Sequence, residues 1–203
     1  MTTTFILGGV RSGKSELAVR LAAASPDPVV FVATMQHSDD AEVEQRIANH
    51  RAGRPAGWRT VEAPSRIADA LRDGGFRRAT VIVDCLTLWA SNLLVAADTA
   101  REMGDTSPEA LAVCARRFEE EIAALFAWAE EHQATLIVVS NEVGAGVVPP
   151  YALGRAFRDL LGTANAMVAG RADRVYYVVA GLVIDLRAVG ALPVRSFTPL
   201  SAS

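Results

Sequence analysis

Gly8-Gly9-Val10-Arg11-Ser12-Gly13-Lys14-Ser15 fits the pattern G-x-x-x-x-G-K-[ST], and its flanks are those the pattern requires. Phe5-Ile6-Leu7 before it reads as the end of a buried strand, and the stretch from Glu16 to Ala22 after it reads as a helix. A strand that stops in a glycine-rich turn and restarts as a helix leaves several backbone N–H groups facing one small space. The positive end of the helix dipole points there too, so the space suits a phosphate chain. Lys14 then reaches the β- and γ-phosphates, and the Ser15 hydroxyl ligates Mg²⁺. Arg11, inside the loop, faces either phosphate or solvent. The alternative is a glycine-rich turn that merely joins strand to helix; correct flanks on both sides favour the phosphate loop.

Working outward, the chain of 203 residues is most simply one domain, with enough length to bury a substantial core. Half its residues are hydrophobic (51%) and 21% are charged, an ordinary balance for a soluble globular protein. A net charge of −3 gives no support to a general nucleic-acid-binding surface, so any anion site is local. Cys85 and Cys114 lie far apart and match no C-x-x-C pattern, which suggests neither a disulfide framework nor a zinc site. The N-terminus lacks the layout of a signal peptide, and no apolar run approaches the ~18 residues of a membrane span. The cytoplasm is the expected compartment.

Five or six short apolar runs alternate with helical stretches: Thr3–Leu7, Val29–Ala33, Ala79–Asp84, Thr135–Ser140, Arg174–Val179 and Leu182–Leu186. The middle runs are nearly continuous in β-branched residues, as in strands covered on both faces. This order predicts an α/β fold with a mostly parallel central sheet and helices on both faces. Ala180-Gly181 between the last two runs is a tight-turn signal and predicts a C-terminal antiparallel hairpin. Ser107-Pro108 places a capping hydroxyl before a proline at the first helical position, opening a helix that runs to about Gln133. Leu153, Phe157, Leu160, Leu161, Ala164, Met167 and Val168 recur at three- and four-residue spacing, an amphipathic helix packed on the sheet. Ala97–Thr106 and Gly144–Pro150 are the expected flexible spots, and the tail from Pro193 shows no element.

Val81-Ile82-Val83-Asp84 is an apolar strand ending in a carboxylate. In folds with a phosphate loop, an acid at this point holds Mg²⁺ opposite the loop's Ser. An Asp there also starts turns and caps helices in many strands without any such role. Paired with the N-terminal loop, Asp84 is read as the metal carboxylate.

The stretch from Asp39 to Arg51 reads as a helix, with Asp39 and Glu42 as a capping box and Val43 and Ile47 as its inward stripe. His50 stands at the edge of that stripe, four residues beyond Arg46. A cation one turn away favours the neutral imidazole, and a neutral imidazole is a competent nucleophile toward phosphorus. Residue type alone favours a partly buried or helix-terminal histidine with no chemistry, the reading also given to His132 at the end of the long helix. His37 lies in an expected loop.

Several stretches together resemble one family, the bifunctional adenosylcobinamide kinase / adenosylcobinamide-phosphate guanylyltransferases of cobalamin biosynthesis. They are GGVRSGKS at 8–15, FVAT at 31–34, RIANHRAGRP at 46–55 with Trp58, Glu62, VDCLTLWASNLL at 83–94, SNEVGAGVVP at 140–149, and the run from 155 to 181. The loop pattern is common to many proteins; the combination of RIxxH with NEVGxGVVP is far more specific. The resemblance implies a RecA-like sheet and two reactions: phosphorylation of adenosylcobinamide by ATP or GTP, then transfer of GMP from GTP to give adenosyl-GDP-cobinamide. It further implies a histidine–GMP intermediate, and the family's histidine falls on His50. Some relatives carry a second histidine beside it, where this chain has Asn49. The resemblance also implies a homo-oligomer, commonly a trimer, and corrinoid and nucleoside triphosphate as the partners; Glu62 is a candidate for the guanine edge, the ribose or the corrinoid side chain. Asn141-Glu142 and the glycines at 144 and 146 are further ligand-facing candidates, for guanine, ribose or the corrinoid side chain.

Two rivals stand beside this reading. A small-molecule kinase without guanylyl transfer uses the same loop and carboxylate and has no need of His50. A nucleotide-dependent binding switch uses the loop without transforming a substrate; the absence of an N-K-x-D stretch weighs against a switch of the GTPase type.

Overall fold

In the computed structural model, residues 1–36, 45, 54–99 and 106–196 are described. The β-branched runs become the strands of one seven-stranded sheet, and the helical stretches pack across it. In chain order the elements are β1 (Thr3–Gly8), α1 (Lys14–Ala23), β2 (Val29–Ala33), β3 (Arg59–Glu62) and α2 (Ile67–Asp73). Then come β4 (Thr80–Asp84), α3 (Leu86–Thr99), α4 (Pro108–Glu131), β5 (Thr135–Asn141), α5 (Ala152–Arg171), β6 (Arg174–Val179) and β7 (Leu182–Asp185). The sheet order is β3-β2-β4-β5-β1-β6-β7, parallel throughout except for the terminal β6–β7 hairpin. Gly181, at φ 79°, makes the hairpin turn, a backbone region that glycine enters without steric cost.

Side chains alternate across each central strand, and the two faces differ. Phe5, Val30, Val81, Val83, Leu136 and Val138 join a large core with α2, α3, α4 and α5. Ile6, Phe31, Ile82, Ile137 and Val139 join a smaller core with α1. Helices therefore lie on both faces, and among the described residues α1 alone covers the second. Fully buried side chains such as Trp89, Phe118 and Leu125 each contribute roughly 1.5–3 kcal/mol by leaving water. The one polar atom of Trp89 is satisfied: Nε1 donates to Glu121 Oε2 at 2.9 Å.

Among the described residues seven strands replace the expected five or six. The added one is β3, whose residues Arg-Thr-Val-Glu show no apolar run, because it is an edge strand with only Val61 partly buried. The helix that opens at Ser107 forms as its cap foretells, Ser107 Oγ accepting from Ala110 N at 3.3 Å. Ala97–Thr99 belongs to α3 rather than to a loop, and 100–105 lies outside the described residues. Among the described residues the tail holds one 3-10 turn, Val194–Ser196, too short for sequence patterning to reveal. Among the described residues no helix is long and apolar enough to cross a membrane.

Candidate active site

Parallel strands bring their carboxyl ends to one edge of the sheet, where open α/β folds form their ligand crevice. A cavity of about 660 Å³ opens there, lined by Ser12, Lys14, Ser15, Glu62, Asp84 and Asn141 among others. Residues from the loop after β1 to the end of β5 thus meet, although Val10 and Asn141 are 131 positions apart in sequence. Register explains the meeting: Ala33 pairs with both Glu62 and Asp84, and Asp84 with Val139, so Glu62 and Asp84 end their strands level with each other.

The loop itself is held closely. Gly8 leaves no room for a side chain: a Cβ there stands 2.1 Å from the carbonyl oxygen of Val178. Gly13, at φ 102°, turns the chain into α1 in the left-handed region. Beneath the loop the C-terminal hairpin acts as a buttress, with Gly181 N donating to Ser12 O at 3.1 Å. From the other side Glu142 N donates to Gly8 O at 3.1 Å. Val10 and Arg11 are exposed at the loop's crest and Gly9 is partly covered.

Lys14 is 8% exposed, and its Nζ donates to Gly9 O at 2.6 Å. Burial lowers its pKa from the ordinary lysine value, and attraction to Asp84 opposes that shift. A cation held in a buried loop with its charge under-compensated is poised for an incoming polyanion. Ser15 and Asp84 supply a hydroxyl and a carboxylate oxygen to the same cavity. Such hard oxygen donors suit Mg²⁺, which takes one or two protein ligands and fills its remaining positions with water and phosphate. Among the described residues no cluster of three His, Cys, Asp or Glu side chains forms a dedicated metal cage.

Thr34 and Asn92 fix the end of β4. Cys85 N donates to Thr34 Oγ1 at 2.7 Å, and the same hydroxyl donates to Cys85 O at 2.9 Å. Asn92 Nδ2 donates to Thr34 O at 2.7 Å and Pro64 O at 3.0 Å, tying β2, the segment after β3, and α3 together behind the carboxylates. Sequence reasoning missed this clamp. Its only trace was two polar residues inside stretches carried by the family resemblance.

Cys85 lines the cavity beside Asp84, yet it is no nucleophile. Burial, and then the Asp84 carboxylate, pushes the thiol up to about 11. At pH 8, some three units lower, about one thiol in a thousand is ionised. Cys85 is therefore expected to resist iodoacetamide at pH 8, with alkylation accelerating only as pH climbs toward that value. Peptide mass mapping across a pH series checks this, and rapid labelling of Cys85 at pH 8 contradicts it.

Of the other sequence-stated candidates, His50 lies outside the described residues, as do His37, Arg46, Asn49 and most of the expected helix around them. Gln45, the one described residue of that stretch, is helical and exposed. His132 ends α4 with its ring stacked on Trp128 at 5.1 Å between centroids and needs no chemical role. The loop after β5 is tethered: Arg158 donates to Gly144 O at 2.7 Å, and Arg155 donates to Pro149 O and Pro150 O at 3.1 and 2.8 Å.

The loop, the parallel sheet and the carboxylate at the end of β4 define a P-loop nucleotide-binding α/β protein. The strand carrying the loop and the strand ending in Asp84 are separated by β5, in the RecA-like manner. A solved structure described as a prototypical ATPase from the type III secretion system of pathogenic bacteria shares this fold. Its TM-score is 0.54 at 13% identity, over 96% of this chain and 60% of that one. The family model for cobinamide kinase / cobinamide phosphate guanyltransferase matches residues 4–186, and the chain belongs to that family. It is 44% identical over 182 residues to the bifunctional adenosylcobalamin biosynthesis protein CobP of Pseudomonas aeruginosa, covering 90% of this chain and 95% of that one. It is 36% identical over 184 residues to the bifunctional adenosylcobalamin biosynthesis protein CobU of Salmonella typhimurium, covering 90% of this chain and 98% of that one.

Proposed function

We propose that this protein phosphorylates adenosylcobinamide with ATP or GTP and then transfers GMP from GTP to the product, using one phosphate loop and His50. The observation that carries the reading is the joining of Lys14, Ser15 and Asp84 at one crevice in a chain that matches the bifunctional family over most of its length.

In the first reaction the aminopropanol hydroxyl of the corrinoid attacks the γ-phosphorus. The bond from that phosphorus to the bridging oxygen breaks, and the nucleoside diphosphate leaves. Loop N–H groups from Gly8 to Ser15 hold the phosphates in line, and Lys14 neutralises the charge that develops on them. Ser15 and Asp84 would hold Mg²⁺, which when bound would supply Lewis-acid withdrawal of charge from the phosphates.

In the second reaction the neutral imidazole of His50 attacks the α-phosphorus of GTP and pyrophosphate departs. The phosphate oxygen of the corrinoid then attacks the same phosphorus, the phosphorus–nitrogen bond breaks, and the imidazole is regenerated. Because the loop grips the β- and γ-phosphates, this scheme requires His50 to reach the α-phosphorus from outside the loop. Glu62, exposed at the end of β3 and level with Asp84, is proposed to contact the nucleotide.

Mass spectrometry of the corrinoid tests the whole reading. With ATP alone the expected product is the phosphate ester, and adding GTP converts it to the GDP derivative with release of pyrophosphate. A phosphate ester that GTP never converts leaves only a kinase, and nucleotide binding with no corrinoid product leaves a switch.

A further inference from the structure

β5 lies between the strand that carries the phosphate loop and the strand that ends in Asp84, and its last residue is Asn141. Asn141 is level with Gly8, two residues beyond the position that pairs with Asp84. Asn141 and Thr87, from the first turn of α3, line the crevice between the two phosphate-handling elements. The pair is locked together: Thr87 Oγ1 accepts from Asn141 N at 2.9 Å and from Asn141 Nδ2 at 3.1 Å. The carbonyl of Asn141 in turn accepts from the buried Asn165 on α5 at 3.1 Å.

A hydroxyl has two acceptor positions and one donor. Both acceptor positions of Thr87 are filled by Asn141, so toward the crevice it offers only its O–H. The neighbouring sulfur of Cys85 is the partner at hand, and a thiol is a weak acceptor. A phosphate oxygen makes a charge-assisted bond about twice as strong as a neutral one, and displaces that contact.

We propose that Thr87 donates a hydrogen bond to the terminal phosphoryl group of a bound nucleoside triphosphate, and that Asn141 is the positioning residue that aims it. The loop and Lys14 hold the phosphate chain from the β1 side. A group projecting from the loop across the end of β5 toward Asp84 enters the part of the crevice that Thr87 and Asn141 line, and in phosphoryl transfer that group is the one in transit. The pair thereby discriminates triphosphate from diphosphate. This inference rests on the nucleotide-transfer reading above.

Calorimetric titration of the full chain with Mg²⁺ and either a β,γ-imido GTP analogue or GDP tests it. Thr87→Val is expected to weaken the analogue by about 10- to 100-fold, the scale of a lost hydrogen bond to a charged group, and to leave GDP unchanged. Thr87→Ser, which keeps the hydroxyl, restores analogue affinity. Thr87→Val also strips Asn141 of its acceptor, so Asn141→Ala serves as a second variant should the first not fold. It keeps the hydroxyl but frees its aim, and several-fold weaker analogue binding with unchanged GDP is expected. Equal losses for both nucleotides, or no loss for either, overturn the inference while leaving the transfer reading intact. A wild-type protein that binds neither nucleotide overturns both.

Discussion

Lys14→Ala is expected to lower the rate of corrinoid phosphorylation by about 10²- to 10³-fold, the scale of removing one preorganised donor from a developing oxyanion. Steady-state kinetics with ATP and cobinamide measures it, and a loss below tenfold removes Lys14 from the mechanism. The fold is expected to survive. Burial outweighs the attraction to Asp84, because the net shift of Lys14 is downward, so deleting the ammonium relieves an under-compensated charge. The sign of the pH dependence follows. With its folded pKa below 10.5, Lys14 binds fewer protons in the native state than in the unfolded one, so its contribution to stability is lost as pH falls through that window. A triphosphate restores the proton. Binding should therefore take up protons at a pH near the lowered value, measurable as a dependence of binding heat on the buffer, and Lys14→Ala should abolish that uptake.

His50→Ala is expected to separate the two reactions. Guanylyl transfer falls by about 10⁴-fold or more, as when a covalent nucleophile is removed, while phosphorylation keeps its rate. The asymmetry matters more than the size. A variant that loses both reactions equally has lost the shape of the crevice, and one that keeps both has shown that the imidazole accepts nothing. Asn49 beside it sharpens the test, because this chain offers no second histidine in that segment to take over.

The phosphate loop was legible because its chemistry is local: glycines, lysine and serine at fixed spacing between a strand and a helix. The same locality made β2 and β6 readable to the residue, and placed the cap of α4 on Ser107. What escaped was whatever depends on strand order. β3 has no apolar run because it is an edge, yet it carries Glu62 to the crevice. Thr87 stood out in no way within the stretch at 83–94 that carries the resemblance, and it is β5 that sets Asn141 against it. Gly8 reads as a loop glycine in the sequence; the reason it tolerates no side chain is the carbonyl of Val178, 170 positions away. Asp84 sits between these cases, weak as a pattern and persuasive once register sets it at the same crevice as the loop. His50 lies outside the described residues and is expected as the nucleophile only through the family resemblance, since a histidine at the edge of an expected helix has no local signature of nucleophilicity.

In the proposed scheme, where His50 takes GMP before the corrinoid does, the protein itself carries the guanylate for part of the cycle. Incubation with GTP labelled at the α-phosphate, without any corrinoid, measures this directly. The expected result is a protein-bound label that acid removes and alkali spares, equimolar pyrophosphate, no retention of label from the γ-position, and no label on His50→Ala. Equal labelling of the wild type and His50→Ala, or no covalent label under conditions where the GDP-corrinoid still forms, contradicts it.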